Sequence, residues 1–192
     1  MIQRCTAEYL DDVVTLHKEV LGHTLNSRIG TWFLRKLYLQ TVLSSENGIC
    51  YIFKEDSKIL GFISLCRDHH RLDREIRESL SFQDKYRTGL TILAHPSLWA
   101  GLVRQLLFSR YLRTTYPGLY PLILTLGVAK NQQGQGVGSL LIQKAVEVSR
   151  EWGVRELFVD TEVTNAAAIT TYQKNGFQRV SVQYGNILLK HT

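Results

Sequence analysis

The spacing of apolar and polar positions changes several times along the 192 residues. Ile2 to Thr6 reads as a short strand. From Ala7 to Leu21 the apolar residues Leu10, Val13, Val14, Val20 and Leu21 recur at helical spacing, acids crowd the first turns, and Gly22 provides a stop. A second helix is expected from Thr31 to Ser44, where Trp32, Phe33, Leu34, Leu37, Tyr38 and Leu39 cluster. GICYIF (Gly48–Phe53) and KILGFISLC (Lys58–Cys66) then flank the polar turn Lys54-Glu55-Asp56-Ser57, the signal of an antiparallel hairpin. Arg67 to Tyr116 is rich in Arg and His and shows no β alternation. Its second half reads as helix, with Pro96 suited to a first turn and Leu98, Leu102, Leu106 and Tyr111 recurring behind it.

YPLILTLGVA (Tyr120–Ala129) is an apolar run, as expected of a strand covered on both faces. A glycine-rich loop follows. Val137, Leu140, Leu141, Ala145, Val148 and Trp152 then make a helical stripe that Gly153 caps. A strand over Glu156–Glu162, a helix over Asn165–Asn175 ended by Gly176, and strands over Phe177–Val182 and Asn186–Lys190 complete the chain. There is no internal repeat and no low-complexity segment.

Composition adds limits to this outline. With 44% hydrophobic and 21% charged residues, the chain reads as one soluble globular domain over residues 1–192. A net charge of +6 favours an anionic partner such as a phosphate-bearing cofactor, a nucleotide or nucleic acid. The charge is scattered and no basic–aromatic platform occurs, which argues against nucleic acid. Cys5, Cys50 and Cys66 form no CxxC, so they are expected as buried thiols in a reducing compartment and not as a metal site. The N-terminal residues turn polar and acidic where a signal peptide would be apolar, and no run is long enough to span a membrane. The expected location is cytoplasmic, as a monomer or homodimer.

The chemistry centres on LGVAKNQQGQGVGSLL (Leu126–Leu141). A strand that feeds a glycine loop and then a helix N-terminus makes an anion site. The first N–H groups of the helix have no internal acceptor, and glycine lets a phosphate come close to them. A nucleotide triphosphatase loop would need a Lys after its glycines, and none is present. A dinucleotide fingerprint would need GxGxxG, whereas Gly134, Gly136 and Gly138 are spaced GxGxG. Asp160 falls where a ribose-binding acid would, but too little chain follows it to complete a doubly wound sheet.

The stretch Gln133-Gly134-Gln135-Gly136-Val137-Gly138 resembles the [QR]-x-x-G-x-[GA] acyl-CoA motif of the GNAT superfamily of N-acetyltransferases. Val128 to Gly134 resembles the family's lead-in, with Lys130 in place of a common Pro. NAAAITTYQKNGF resembles a second family segment, with Asn165, Ala168, Tyr172, Gly176 and Phe177 in place. The resemblance implies an α/β (α+β) fold: a central mixed, mostly antiparallel twisted sheet flanked by helices, with residues 67–116 as a helical insertion before the cofactor strand. It implies that the N–H groups of Gly134 to Ser139 hold the pyrophosphate of acetyl-CoA. Leu126 and Val128 would bind the pantetheine arm, with Val128 as the oxyanion donor. Tyr172 would protonate the departing thiolate, and Asn165 would both cap its helix and reach the cofactor. No metal is called for.

The resemblance does not supply the general base. Many relatives carry a Glu on the strand read here as Tyr120–Ala129, and this chain has none there. Asp160 and Glu162, two apart and therefore on one strand face, are the leading candidates. His69, His70 and His95 are further ones. The acceptor is expected to be a small-molecule amine such as an amino sugar, or a nucleotide-linked amino sugar met by Arg67, Arg71, Arg74 and Arg77. A protein Lys or N-terminus, and a non-catalytic acyl-CoA-binding module, stand as alternatives. The Arg67–Tyr116 segment has three readings: a wall or lid of the acceptor pocket, an added packing layer, or a basic amphipathic surface that touches a membrane.

Overall fold

The structure is a computed structural model that describes every residue except 40–42, 44, 118 and 119. Its sheet runs β1 (Ile2–Arg4), β2 (Gly48–Glu55), β3 (Lys58–Cys66), β4 (Leu122–Val128), β5 (Leu157–Glu162), β6 (Gln178–Gln183) and β7 (Asn186–His191). The spatial order is β1-β2-β3-β4-β5-β7-β6. All neighbours are antiparallel except β4 and β5, which are parallel. This is the mixed, mostly antiparallel α/β sheet that the resemblance implied.

The helices are α1 (Leu10–Leu21), α2 (Leu25–Ile29), α3 (Thr31–Tyr38), α4 (His69–Ser79), α5 (Phe82–Ala94), α6 (Trp99–Thr115), α7 (Val137–Glu151) and α8 (Ala166–Lys174). They cover both faces of the sheet, and strand alternation decides which residue meets which layer. Ile63, Ile123, Val159 and Leu189 pack with Leu141, Ala145 and Ile169 of α7 and α8. On the other face, Cys50, Ile52 and Phe62 meet α1 and α3, while Leu122, Phe158 and Leu188 meet Leu72, Phe108 and Leu112 of α4 and α6. Each such fully buried side chain contributes about 1.5–3 kcal/mol by leaving water.

The main departures from the sequence reading are local. The hairpin strands run to Glu55, so the turn is Asp56–Ser57, with Asp56 at φ 53. The first helix opens with a 3-10 turn at Ala7–Tyr9. A short helix, α2, precedes the second expected helix, whose residues 40–42 and 44 fall outside the described set. The Arg- and His-rich segment is helical in both halves. Asp68 caps α4 by accepting from His70 and Arg71 N–H, and Ser81 with Asp84 forms a reciprocal cap on α5. The three thiols are buried, although Cys5 lies just past the end of β1.

A polar chain crosses the α1–α3 layer. His17 Nδ1 and Tyr38 Oη share a 2.6 Å hydrogen bond, Tyr38 Oη lies 3.2 Å from Thr125 Oγ1 on β4, and Thr125 bonds Ser64 on β3. His17 Nε2 is buried without a partner among the described residues. Burial lowers the His17 pKa to about 4, so the ring is neutral at pH 7. The unfolded chain binds this proton near pH 6 and the folded protein does not, so the contribution of His17 to stability falls as pH drops below about 6. Tyr38→Phe leaves the ring with two unpaired nitrogens. It is expected to cost about 1–3 kcal/mol in thermal or denaturant unfolding.

Candidate active site

The one parallel pair leaves a gap. β4 and β5 pair only at Leu122↔Phe158 and Ile123↔Val159. On its other edge β4 stays paired with β3 as far as Gly61↔Val128. Leu124 is the extra residue of a bulge there, since Leu65 opposes Ile123 and Ser64 opposes Thr125. Ala129 N–H donates to the Leu60 carbonyl (2.8 Å). Antiparallel alternation therefore turns Gly127 toward β3, and it turns the N–H and C=O of Leu126 and Val128 into the gap beside β5. An added Cβ at Gly127 would stand 2.4 Å from the Phe62 ring, so only glycine lets the strand sit this close. The Val128 carbonyl accepts from Gln133 Nε2 (3.1 Å), which ties the glycine loop to the strand end.

The loop lies at the mouth of the gap. After a 3-10 turn at Lys130–Gln132, Gly134 (φ 79) and Gly136 (φ 87) take left-handed backbone conformations. Gly136 is the N-cap of α7, and the first helical bond runs from Leu140 N–H to its carbonyl (3.0 Å). The N–H groups of Val137, Gly138 and Ser139 are thus the unpaired first turn. Those of Gly134 and Gly136 also find no acceptor among the described residues. Gln135 bends back to the Asn131 carbonyl, and Ser139 Oγ accepts from Asn175 Nδ2 of the α8 end. The result is a crest of free donors at a positive helix end, open on the side where an added Cβ would meet nothing.

The side chains that border the gap come from β5 and α8. Tyr172 is buried against Phe177, with ring centroids 5.5 Å apart, and its hydroxyl has no hydrogen-bond partner among the described residues. Burial first, and the Asp160 charge second, raise its pKa, so it remains a phenol at neutral pH. Asn165 caps α8 by accepting from Ala168 N–H (3.2 Å), and its Nδ2 donates to Thr161 Oγ1. Asp160 follows the last β5 residue paired to β4. It keeps partial surface exposure while protein packs densely around its carboxyl, and that burial raises its pKa to about 6.

Glu162 shares the Asp160 face, but its carboxylate receives Arg104 Nη2 of α6 at 2.5 Å. A buried cluster stands behind Asp160. Tyr120 stacks on Phe158 at 4.6 Å, and its hydroxyl and His69 Nδ1 are both buried and unpaired among the described residues. Burial lowers the His69 pKa. His70 bonds the Tyr116 carbonyl through Nε2, and His95 bonds the Thr91 carbonyl on the exposed end of α5. Arg71 and Arg77 pair with acids of their own helix, Glu75 and Asp73. Arg104 had no local signal in the sequence, because its partner lies 58 residues away.

Among the described residues no group of three or more His, Cys, Asp or Glu is placed to hold a metal ion. No described helix is long and apolar enough to cross a membrane. A surface hollow of about 490 Å³ lies at the far end of α7 beside Arg150 and His191, away from these groups. It is shallow and holds none of the chemistry above.

Comparison with known proteins agrees with this geometry. GCN5-related N-acetyltransferase 7 of Arabidopsis thaliana is 39% identical over 56 residues, which cover 29% of this chain and 20% of that protein. N-alpha-acetyltransferase 30 of Schizosaccharomyces pombe is 36% identical over 62 residues, 32% of this chain and 41% of its own length. The matched stretches therefore span less than half of these curated relatives. Among solved structures, PaiA N-acetyltransferase from Thermoplasma acidophilum in complex with coenzyme A has a TM-score of 0.65 over 100% of this chain and 98% of that one. At 13% identity that likeness is one of fold. The family model described as "Acetyltransferase (GNAT) family" matches residues 23–177, from α1–α2 through the splayed strands and the glycine loop to the end of α8, and the chain belongs to that family.

Proposed function

We propose that the protein transfers the acetyl group of acetyl-CoA directly to a primary amine. The observation that carries this reading is the β4–β5 gap with the crest of unpaired N–H groups at its mouth. A diphosphate suits the crest. The amides of a pantetheine arm suit the backbone of Leu126 and the N–H of Val128, and in this reading a thioester carbonyl accepts from Val128 N–H. In this reading the backbone of Val137, Gly138 and Ser139, with Ala168, would line the same route.

Asp160 is the base in this reading, since a carboxylate with a pKa near 6 is ionised at neutral pH yet retains proton affinity. Glu162 is engaged with Arg104, so its role is to fix α6 over the end of β5. The same arginine reaches the β6–β7 turn, where an added Cβ at Gly185 would stand 3.4 Å from Arg104 Cδ. Helix α6 thereby walls the acceptor side of the gap. This supports a small amine over an extended peptide; the reading keeps the expectation of a cytoplasmic enzyme that needs no metal. The likeness to N-alpha-acetyltransferase 30 keeps a protein N-terminus as the second reading.

The test is thiol release from acetyl-CoA across amino sugars, nucleotide-linked amino sugars, polyamines, amino acids and N-terminal or Lys peptides. Release above background with one class establishes transfer and its acceptor together. No release with any class, while acetyl-CoA binds tightly, would favour a binding module. Tyr172→Phe is expected to lower turnover about 10- to 100-fold. The figure is modest because a thiolate, with a pKa near 8.5, is already a fair leaving group. Acetyl-CoA affinity by calorimetry is expected to be unchanged, and equal turnover would remove Tyr172 as the acid.

A further inference from the structure

Helices α5 and α6 are covered on one side only. Phe82, Tyr86, Leu90 and Leu93 recur along α5 at helical spacing and face outward, Phe82 at 83% and Leu93 at 65% exposure. On α6, Trp99, Val103, Leu106 and Leu107 do the same, Leu106 at 60% exposure. The opposite side of α6 carries the buried Phe108 and Leu112. The helix is therefore apolar on both faces, and among the described residues only one of them has a partner. Trp99 Nε1 donates to the Ile92 carbonyl (2.8 Å) and joins the two stripes where the helices meet. The opposite side of α5 is fixed to the body through Asp84, which bonds Lys36, and through Arg87, which lies over the Trp32 ring. Eight large apolar side chains in two adjoining stripes exceed the scattered exposure normal for a soluble surface.

Charge identifies the occupant. Between Ser81 and Thr115 there are five Lys or Arg residues and one carboxylate, Asp84. That carboxylate is already bonded to Lys36. At about 3.6 residues per turn, Arg110 falls in line with the α6 stripe and Arg113 at its edge, while Lys85 flanks the α5 stripe. None of these three is in an ion pair among the described residues. A symmetric contact between two copies would bury these cations with no acid to meet them, at a cost in desolvation and repulsion. A bilayer with anionic headgroups accepts the apolar side chains below the headgroup level and neutralises the cations at that level. The aromatic residues Phe82, Tyr86 and Trp99 suit the same depth.

We infer that the α5–α6 face docks on an anionic lipid surface and holds the enzyme at a membrane without crossing it. This does not depend on the catalytic reading. The experiment uses the full chain with vesicles of phosphatidylcholine alone, or of phosphatidylcholine with about a quarter phosphatidylglycerol. Co-sedimentation with the anionic vesicles at low salt is expected, with loss as salt rises. A blue shift of tryptophan emission that disappears in Trp99→Phe is also expected. The double substitution Leu93→Glu with Leu106→Glu, both at exposed positions, should weaken vesicle binding at least tenfold and leave thermal unfolding and thiol release in solution unchanged. Absence of the wild-type chain from the anionic pellet at low salt would overturn the inference. So would equal binding to neutral vesicles. A concentration-dependent dimer that the double substitution converts to monomer, with no vesicle binding, would assign the face to a second copy instead.

Discussion

Asp160→Asn is expected to abolish most activity and to make the protein more stable. Both effects have one origin. The carboxyl is raised to about 6 by burial, so holding it ionised at pH 7 costs folding free energy. The shift from 3.8 corresponds to an upper figure of about 3 kcal/mol, reduced by whatever solvent still reaches the group. The folded protein binds this proton more tightly than the unfolded chain does. The Asp160 contribution to stability therefore declines as pH rises from about 4 to about 6, opposite in sign to that of His17 over the same range, and its cost is fully present above that window. The neutral amide of D160N escapes it. Its thermal midpoint should exceed the wild-type value by several degrees at pH 7, and the difference should vanish below about pH 4.

The catalytic effect runs the other way. An amine with a pKa near 10 is almost wholly protonated at pH 7, so a positioned base contributes about 10²- to 10⁴-fold. Wild-type kcat/KM should rise through pH 6 as Asp160 ionises and then level. D160N should lose that rise and recover only at alkaline pH, where the substrate sheds its own proton. A stabilised D160N with unchanged turnover would place the base elsewhere, with the buried His69 and Tyr120 as the next positions to substitute. An unstabilised, inactive D160N would show that the carboxyl is not buried as described.

The outline of the sheet was legible because its strands are punctuated by glycines and by one short turn, and because the β4 run is apolar on both faces. The glycine loop and the Asn165 cap were legible for a physical reason: each helix start needs a residue type at a fixed position. What the sequence hid was either long in range or masked by polar composition. Helices α4 and α5 bear caps at Asp68 and Ser81 that could have announced them; Arg and His obscure the apolar spacing of α4, whereas that of α5 was open to reading. The helical pattern of α6 was readable, but its exposed stripe was not, since periodicity does not tell a covered face from a bare one. Asp160 and Glu162 looked equivalent on β5. Only Arg104, 58 residues away from Glu162, separates an ion-paired acid from a buried one.

Gly136→Glu is expected to remove acetyl-CoA binding, by at least 100-fold in calorimetry, and the geometry allows that loss to be assigned to the ligand site. Gly136 sits at φ 87 as the N-cap of α7, so any side chain there meets left-handed strain of about 1–2 kcal/mol. An added Cβ would contact no protein atom within 4 Å. Strain is therefore the whole structural cost, and Gly136→Ala isolates it: a few degrees lost in thermal unfolding, with a modest fall in affinity. The glutamate adds to the same strain a carboxylate beside the unpaired N–H groups of Val137, Gly138 and Ser139, where it satisfies the helix end and repels a diphosphate. The ratio between the two variants thus reads occupation of the anion site alone, and it should shrink as salt screens the repulsion. Equal, small losses for both variants would mean that the crest is a helix cap and that the phosphate-bearing ligand binds elsewhere.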